Sequence, residues 1–218
     1  MTRLDAAERR SPLEGESLPE GLRELPYLVQ LDVRVDPSDV ATMSAVAGAL
    51  SMDLPLQPNT VAGDEHLAVL WLGPDEWLVV GSPGRETELE LSLVDALGEP
   101  GGSVVDVSAN RTTLELRGPR ARELLESGCS IDLHPRAFGP GDCAQTLLAR
   151  ANVILWQTAP RPETVYRLFV RSSFAIYLAA WLTDAADADG APVHPGLIEC
   201  HLNAPSSDAS RRHPRLRQ

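Results

Sequence analysis

The sequence predicts an α+β protein of two related lobes, each an antiparallel sheet with packed helices. Strand-like runs outnumber helical ones and follow one another directly along the chain, which favours antiparallel pairing. Each half of the chain also ends with a β-hairpin followed by an amphipathic helix. A chain of 218 residues is long enough for one large domain or two small ones.

The first half contains in order a strand, a helix, a hairpin and a second helix. Apolar residues alternate from Tyr27 to Val35, which is the period of a half-buried strand. Asp36 and Pro37 then provide a helix cap and a first-turn proline before apolar positions at helical spacing. The turn residues 73–76 separate two strand-like runs, and a leucine stripe follows them. We therefore predict strands over 27–35, 67–72 and 77–81 and helices over 40–50 and 86–97.

The second half repeats these elements. Gly118 and Pro119 begin a short helix, and an irregular stretch rich in glycine and proline follows it. The clearest helix of the chain is the last, which begins at Ser172 or Ser173 and has a continuous apolar stripe. The pattern predicts strands over 104–107, 112–117, 143–149, 153–157 and 164–170, with the short helix over 120–127.

Composition and charge divide the chain into four segments and exclude several classes of function. Residues 1–26 read as a mobile N-terminal arm and 187–218 as a flexible C-terminal extension. The first lobe, 27–100, carries a net charge of −11 and the second, 101–186, carries +1. The total of −12 disfavours nucleic acid as the main partner. All basic residues are arginine, so Schiff-base lysines and Walker A loops are excluded.

Membrane spans, disulfides and metal sites find little support in the pattern. There is no apolar run of about 18 residues and no signal peptide, so we expect a cytoplasmic protein without a membrane partner. The three cysteines are scattered, and Cys129 and Cys143 are interpreted as buried, inert thiols. His194, Cys200 and His201 do not have zinc spacing, so we interpret them as an incidental cluster.

No active site is visible in the residue pattern itself. The carboxylate pairs lie in predicted turns, and the glycines match neither a dinucleotide fingerprint nor a phosphate-binding loop. Trp156 and Trp181 have two interpretations, as anchors of a protein interface or as core residues. The sequence alone does not separate the two.

The second half resembles the folate-binding domains of aminomethyltransferases. It carries their short motifs in order, in the segments 104–108 (VVDVS), 116–121 (LRGPRA), 124–125 (LL), 131–133 (IDL), 140–142 (PGD) and 147–156 (LLARANVILW). More specifically, the segments 148–156 and 170–186 (VRSSFAIYLAAWLTDAA) resemble the gamma subunit of heterotetrameric sarcosine oxidase. The likeness covers about residues 100–186 well and 27–100 more loosely.

The sarcosine oxidase gamma family implies a place in an oxidoreductase complex. Such a complex oxidatively demethylates sarcosine to glycine with oxygen, and tetrahydrofolate accepts the one-carbon unit. The resemblance implies alpha, beta and delta subunits as partners. It also implies that FAD, FMN, NAD and tetrahydrofolate belong to those other subunits, while the gamma subunit is accessory and has no catalytic, cofactor-binding or metal-binding residue.

The departure from the folate-binding pattern agrees with an accessory role. In the folate-dependent transferases, a turn with two glycines leads to an acid that engages folate. The matching stretch here, 151–156, has no glycine, and Leu155 or Trp156 stands where the carboxylate would be. An apolar side chain cannot accept the folate hydrogen bond. The sequence therefore predicts a fold kept from a folate-binding ancestor, with its ligand site converted to packing or to partner contact.

We predict that the second lobe contacts the partner subunits through an apolar centre rimmed by arginine. The candidate interface residues are Arg150, Trp156, Arg171 and Trp181. Two other functions remain open. A free-standing folate-dependent aminomethyltransferase-like protein would bind folate, and a stand-alone ligand-binding module would be stabilised by a small molecule without any partner.

Overall fold

Two five-stranded antiparallel sheets and four α-helices make up the part of the chain that the computed structural model describes, residues 9–99, 101–158 and 164–187. The strands are β1 (Leu22–Leu25), β2 (Val29–Arg34), β3 (Val61–Gly63), β4 (Leu67–Gly73), β5 (Glu76–Gly81), β6 (Ser103–Asp106), β7 (Arg111–Arg117), β8 (Cys143–Leu148), β9 (Ala151–Gln157) and β10 (Val165–Arg171). The helices are α1 (Val40–Leu50), α2 (Glu86–Leu97), α3 (Ala121–Glu126) and α4 (Ala175–Asp187), and a 3₁₀ turn over Ser172–Phe174 leads into α4. The predicted α+β class with antiparallel sheets is confirmed.

The two sheets have the same strand order. Sheet I runs β3-β4-β5-β2-β6, and sheet II runs β8-β9-β10-β7-β1. In each, one strand and a helix are followed by three strands joined as hairpins and by a second helix. The fifth strand of each sheet comes from the other half of the chain, because β1 precedes β2 in sequence but pairs with β7, while β6 precedes β7 but pairs with β2. The two halves thus exchange their first strands.

This exchange corrects the predicted segment boundaries. The prediction of a mobile arm over 1–26 is wrong for residues 9–26, because β1 pairs along its whole length with β7 and Leu13 and Leu22 are buried. The first repeat therefore starts before residue 27. β6 falls in the second segment, as predicted, but it completes sheet I. The extension over 187–218 lies outside the described residues from position 188 onwards.

The sheets stack with helices on the outside. One cluster of buried side chains packs α1 and α2 against sheet I, and a second packs α3 and α4 against sheet II. A third cluster lies between the two sheets and consists of Leu28, Ala68, Leu70, Leu78, Val80, Cys143, Ile154, Trp156 and Phe169. Each sheet is therefore buried on both faces, which explains why β5 and β9 are apolar at most positions. No helix in the described ranges has the length and apolar character needed to cross a bilayer.

α1 has its predicted bounds, Val40–Leu50, but its cap lies three residues later than predicted, at Asp39 instead of Asp36. Asp39 caps the helix, since its carboxylate accepts a hydrogen bond from the backbone N–H of Thr42 at 3.1 Å. Asp36 instead accepts from the N–H of Ser38 and closes the turn before the helix. Both aspartates can make such local bonds, and the helix begins at the second.

Candidate functional site

The face of sheet II that looks toward sheet I carries the polar residues of the candidate site. Alternate residues of a strand point to the same face, and the pairing register aligns them in rows across the sheet. We call one of these the ionic row, formed by Arg23, Glu115, Arg167, Trp156 and Cys143 on five successive strands. We call another, four residues further along the strands, the open row, formed by Arg111, Arg171, Asn152 and Leu147.

Glu115 is the centre of the ionic row. Its side chain is 4% exposed, and its carboxylate lies 2.7 Å from Nη2 of Arg23 and 3.6 Å from Nε of Arg167. Arg117, on the same strand, pairs with the same carboxylate. Burial raises the pKa of Glu115, but the hydrogen bonds from Arg117 and Arg23 and their charges lower it, and the net direction is down. Glu115 is thus held as a carboxylate among arginines.

Trp156 lies in the core and not on the surface. Its side chain is 3% exposed, within the apolar layer between the sheets, and the guanidinium carbon of Arg167 is 5.2 Å from its ring centre. The prediction of Trp156 as a partner contact is therefore corrected, since the chain itself covers the ring. Leu155 is also buried, on the opposite face beneath the helices. The positions that match the folate-engaging acid are both filled by packed apolar side chains.

Cys143, at the end of the ionic row, is fully buried. Its Sγ lies 3.5 Å from the carbonyl oxygen of Trp71 and 3.6 Å from that of Thr60. Burial raises the pKa of the thiol from 9.0 to about 12. The interpretation of Cys143 as a buried, inert thiol is confirmed, because the thiolate is the reactive form.

Alkylation with iodoacetamide should leave Cys143 unmodified in the native chain at pH 8. A thiol with a pKa of about 12 carries roughly a thousandfold less thiolate than one at 9, and burial removes access as well. The measurement is the modified fraction of the Cys143 peptide by mass spectrometry, with the same chain in urea as the control. Equal labelling rates in the native and unfolded chains would contradict this environment.

The other three predicted site residues lie toward one end of sheet II, with Arg171 on the face toward sheet I and Trp181 on the helix side. Arg150 is exposed in the tight turn between β8 and β9, and Arg171 is exposed at the last position of β10. Trp181 is half-buried on α4, where its ring packs against Gly128 so closely that a Cβ there would lie 2.5 Å from it. Gly128 accepts a hydrogen bond from the N–H of Ala149 in the β8–β9 turn. Trp181 therefore supports the turn that presents Arg150.

Arg111 belongs to the same end and is not among the predicted residues. It is the register partner of Arg171, so the two guanidinium groups share one face of neighbouring strands. The two arginines are 60 positions apart in sequence, and only the pairing of β7 with β10 brings them together. The local pattern around Arg111, a polar start to a strand, carries no signal of this.

Metal ligation finds no support in the described residues. Within 9–99, 101–158 and 164–187, no three or more His, Cys, Asp or Glu side chains form a group that could hold a metal ion. His194, Cys200 and His201 lie outside these ranges.

Pro140–Asp142 forms a turn in which the carboxylate of Asp142 accepts a hydrogen bond from the N–H of Gly139 at 2.7 Å.

Comparison with known proteins identifies the family. The sarcosine oxidase gamma subunit family matches residues 34–188. The sarcosine oxidase subunit gamma of Corynebacterium sp. (strain P-1) is 43% identical over 187 residues, covering 81% of this chain and 89% of the relative. That of an Arthrobacter species is 42% identical over 194 residues, covering 84% of this chain and 93% of the relative.

Solved structures agree with this match. A chain of the heterotetrameric sarcosine oxidase from Corynebacterium sp. U-96, in complex with pyrrole 2-carboxylate, superposes with a TM-score of 0.74 at 37% identity. The alignment covers 85% of this chain and 99% of that one. Aminomethyltransferase T of the glycine cleavage system from Bartonella henselae superposes with a TM-score of 0.58 at 15% identity, over 74% of this chain and 45% of that one, which shows a shared fold. The chain belongs to the sarcosine oxidase gamma subunit family.

Proposed function

We propose that this chain is the accessory gamma subunit of a heterotetrameric sarcosine oxidase, and that it binds its partner subunits without doing chemistry itself. The observation that carries this proposal is the near-complete coverage of a chain from the Corynebacterium heterotetramer at 37% identity. The proposed complex oxidatively demethylates sarcosine to glycine, with tetrahydrofolate as the one-carbon acceptor. Its alpha, beta and delta subunits are the partners, and FAD, FMN, NAD and tetrahydrofolate belong to them.

The chemistry of the inner face of sheet II favours binding over catalysis. A general acid or base needs a pKa near the working pH and access to a substrate. Glu115 has neither, because its pKa is lowered and its oxygens face arginines. Cys143 is protonated and covered. The titratable groups that the fold buries here are structural.

Co-expression with the three other subunits should recover a complex with one copy of each subunit and bound flavin by native mass spectrometry. A chain that remains a stable monomer and never co-purifies would contradict the proposal. Saturable folate binding by the isolated chain, measured by calorimetry, would instead favour a free-standing aminomethyltransferase-like protein.

Within that complex, we expect charge reversal at the exposed end of sheet II to weaken assembly. Arg150→Glu and Arg171→Glu should each raise the dissociation constant of this subunit by about tenfold, because a rim charge that faces an acidic partner becomes repulsive. Arg85→Glu is the matched control, since Arg85 is a partly exposed arginine at the start of α2 with its own partner Glu88 at 2.6 Å. Equal retention of all three variants in a pull-down would contradict the placement of the interface.

A further inference from the structure

The open row lines a groove of about 460 Å³ on sheet II. The groove lies beside β8, which is the edge strand of the sheet. Its walls combine two arginines, Arg111 and Arg171, with the amide side chains of Gln145 and Asn152 and the apolar side chains of Leu147 and Phe169. Leu147 on its floor is 43% exposed, although its neighbours on the strand are better covered.

The two arginines of the groove form no ion pair with the residues that the structure describes. Among the described residues, no carboxylate oxygen comes within 4.0 Å of either guanidinium group, Arg111 or Arg171. Burial and the charge of Arg171 lower the pKa of Arg111, while Asp32 and Glu76 act in the opposite direction. Those two acids are nearer to another cation, Arg34, at 3.9 and 2.5 Å.

The ionic row contains the carboxylate that the open row lacks. There, arginines on neighbouring strands converge on one carboxylate, Glu115, supplied by the central strand. In the open row, the position on β7 that corresponds to Glu115 is Arg111, and the member of the row on β9 is Asn152. Neither side chain is a carboxylate. A guanidinium group binds a carboxylate through paired hydrogen bonds, and a half-buried one gains most from it. The open row therefore lacks a carboxylate that a second molecule can supply.

We propose that this groove receives an aspartate or glutamate side chain of a partner subunit, which Arg111 and Arg171 bind together. The occupant is a segment that lies along β8 and places an apolar residue on Leu147 beside the acid. A segment fits better than a small anion because most of the lining is uncharged and extends over four strands. The proposal rests on the proposed function, since it names the surface by which the gamma subunit is held.

The test compares assembly of the co-expressed complex for the wild type, Arg171→Gln, and the double variant Arg111→Gln/Arg171→Gln. The double variant should raise the dissociation constant of this subunit about 100-fold, because two charge-assisted hydrogen bonds are lost. Arg171→Gln alone should raise it about tenfold, and its exposed position makes misfolding no explanation. Arg85→Gln serves as the control. Added NaCl should weaken wild-type assembly more than that of the double variant.

The outcomes separate the two proposals. If the wild type does not assemble, the proposed function fails and this surface with it. If the wild type assembles and the double variant assembles equally well, this proposal alone is overturned. This proposal is also overturned if the double variant assembles normally while phosphate or acetate raises the melting temperature of the wild type only. The groove would then be a small-anion site.

Discussion

Replacing Glu115 with alanine should lower the free energy of unfolding of the isolated chain by about 3–5 kcal/mol, because the change removes a buried carboxylate that three arginines share. Arg167 is the arginine that this change affects most, since its side chain is only 7% exposed and water does not solvate its charge. It also contacts the carbonyl oxygen of Glu65 at 3.2 Å and the Trp156 ring, and neither of these groups carries a full negative charge. Urea denaturation followed by circular dichroism measures the loss.

Glu123→Ala is the matched control for this change. Glu123 pairs with Arg120 at 3.5 Å, but its side chain is 72% exposed, so removal of the pair should cost less than about 1 kcal/mol. A loss below about 1 kcal/mol for Glu115→Ala as well would contradict the structural role of the ionic row.

The pH dependence of unfolding provides a second measure of Glu115. Its pKa in the folded chain lies below the ordinary value of 4.5. A depressed carboxyl pKa contributes stability that is present above the unfolded-state pKa and is lost as the pH falls through the folded-state value. The wild type should therefore lose stability more steeply than Glu115→Ala below about pH 4.5, and the two curves should run parallel above about pH 6.

The elements with strong local patterns were predictable from the sequence. α2 has the predicted bounds, Glu86–Leu97, because its leucines recur on one stripe, and the hairpin of β4 and β5 follows from its turn residues. β1 could not be predicted from the sequence, since its four residues, Leu22–Leu25, carry almost no periodic signal. Its position depends on β7, about 90 residues away, and such a pairing is a property of the tertiary structure.

The candidate site divides in the same way. Exposure of Arg150 and Arg171 agrees with a polar residue in a turn and one at a strand end, both visible in the sequence. The partnership of Arg111 with Arg171, and of Glu115 with Arg167, depends on the register between β7 and β10. A shift of β10 by one residue would send Arg167 and Arg171 to the face opposite Glu115 and Arg111. The exposure of a side chain can thus be predicted from the local sequence, whereas its partner on the neighbouring strand cannot.

Trp156 is the residue for which sequence and structure disagree most. Apolar positions in a strand next to a turn fit an exposed anchor and a core residue equally well. The structure places the ring between the two sheets, in contact with a cluster that includes residues of both. Its removal should therefore affect the folding of the free chain before it affects any partner.

Trp156→Ala should lower the free energy of unfolding of the isolated chain by about 3–5 kcal/mol, through lost apolar burial and the cavity that remains. Trp156→Phe keeps most of the ring and should cost less than about 2 kcal/mol. Phe174→Ala is the control, because Phe174 is 43% exposed in the 3₁₀ turn before α4, and it should cost about 1 kcal/mol or less. Normal stability of Trp156→Ala combined with weakened assembly would restore the interpretation of Trp156 as a partner contact.

The double variant Trp156→Ala/Glu115→Ala tests whether Trp156 and Glu115 stabilise the chain together, through Arg167. Arg167 lies between the two residues in the register, with its guanidinium beside the Trp156 ring and its Nε toward the Glu115 carboxylate. Once either neighbour is removed, Arg167 can move toward the space that is left, so the second removal costs less than it does alone. The two losses should therefore fall short of additivity by about 0.5–3 kcal/mol. Strict additivity would mean that Arg167 keeps its position independently of both neighbours.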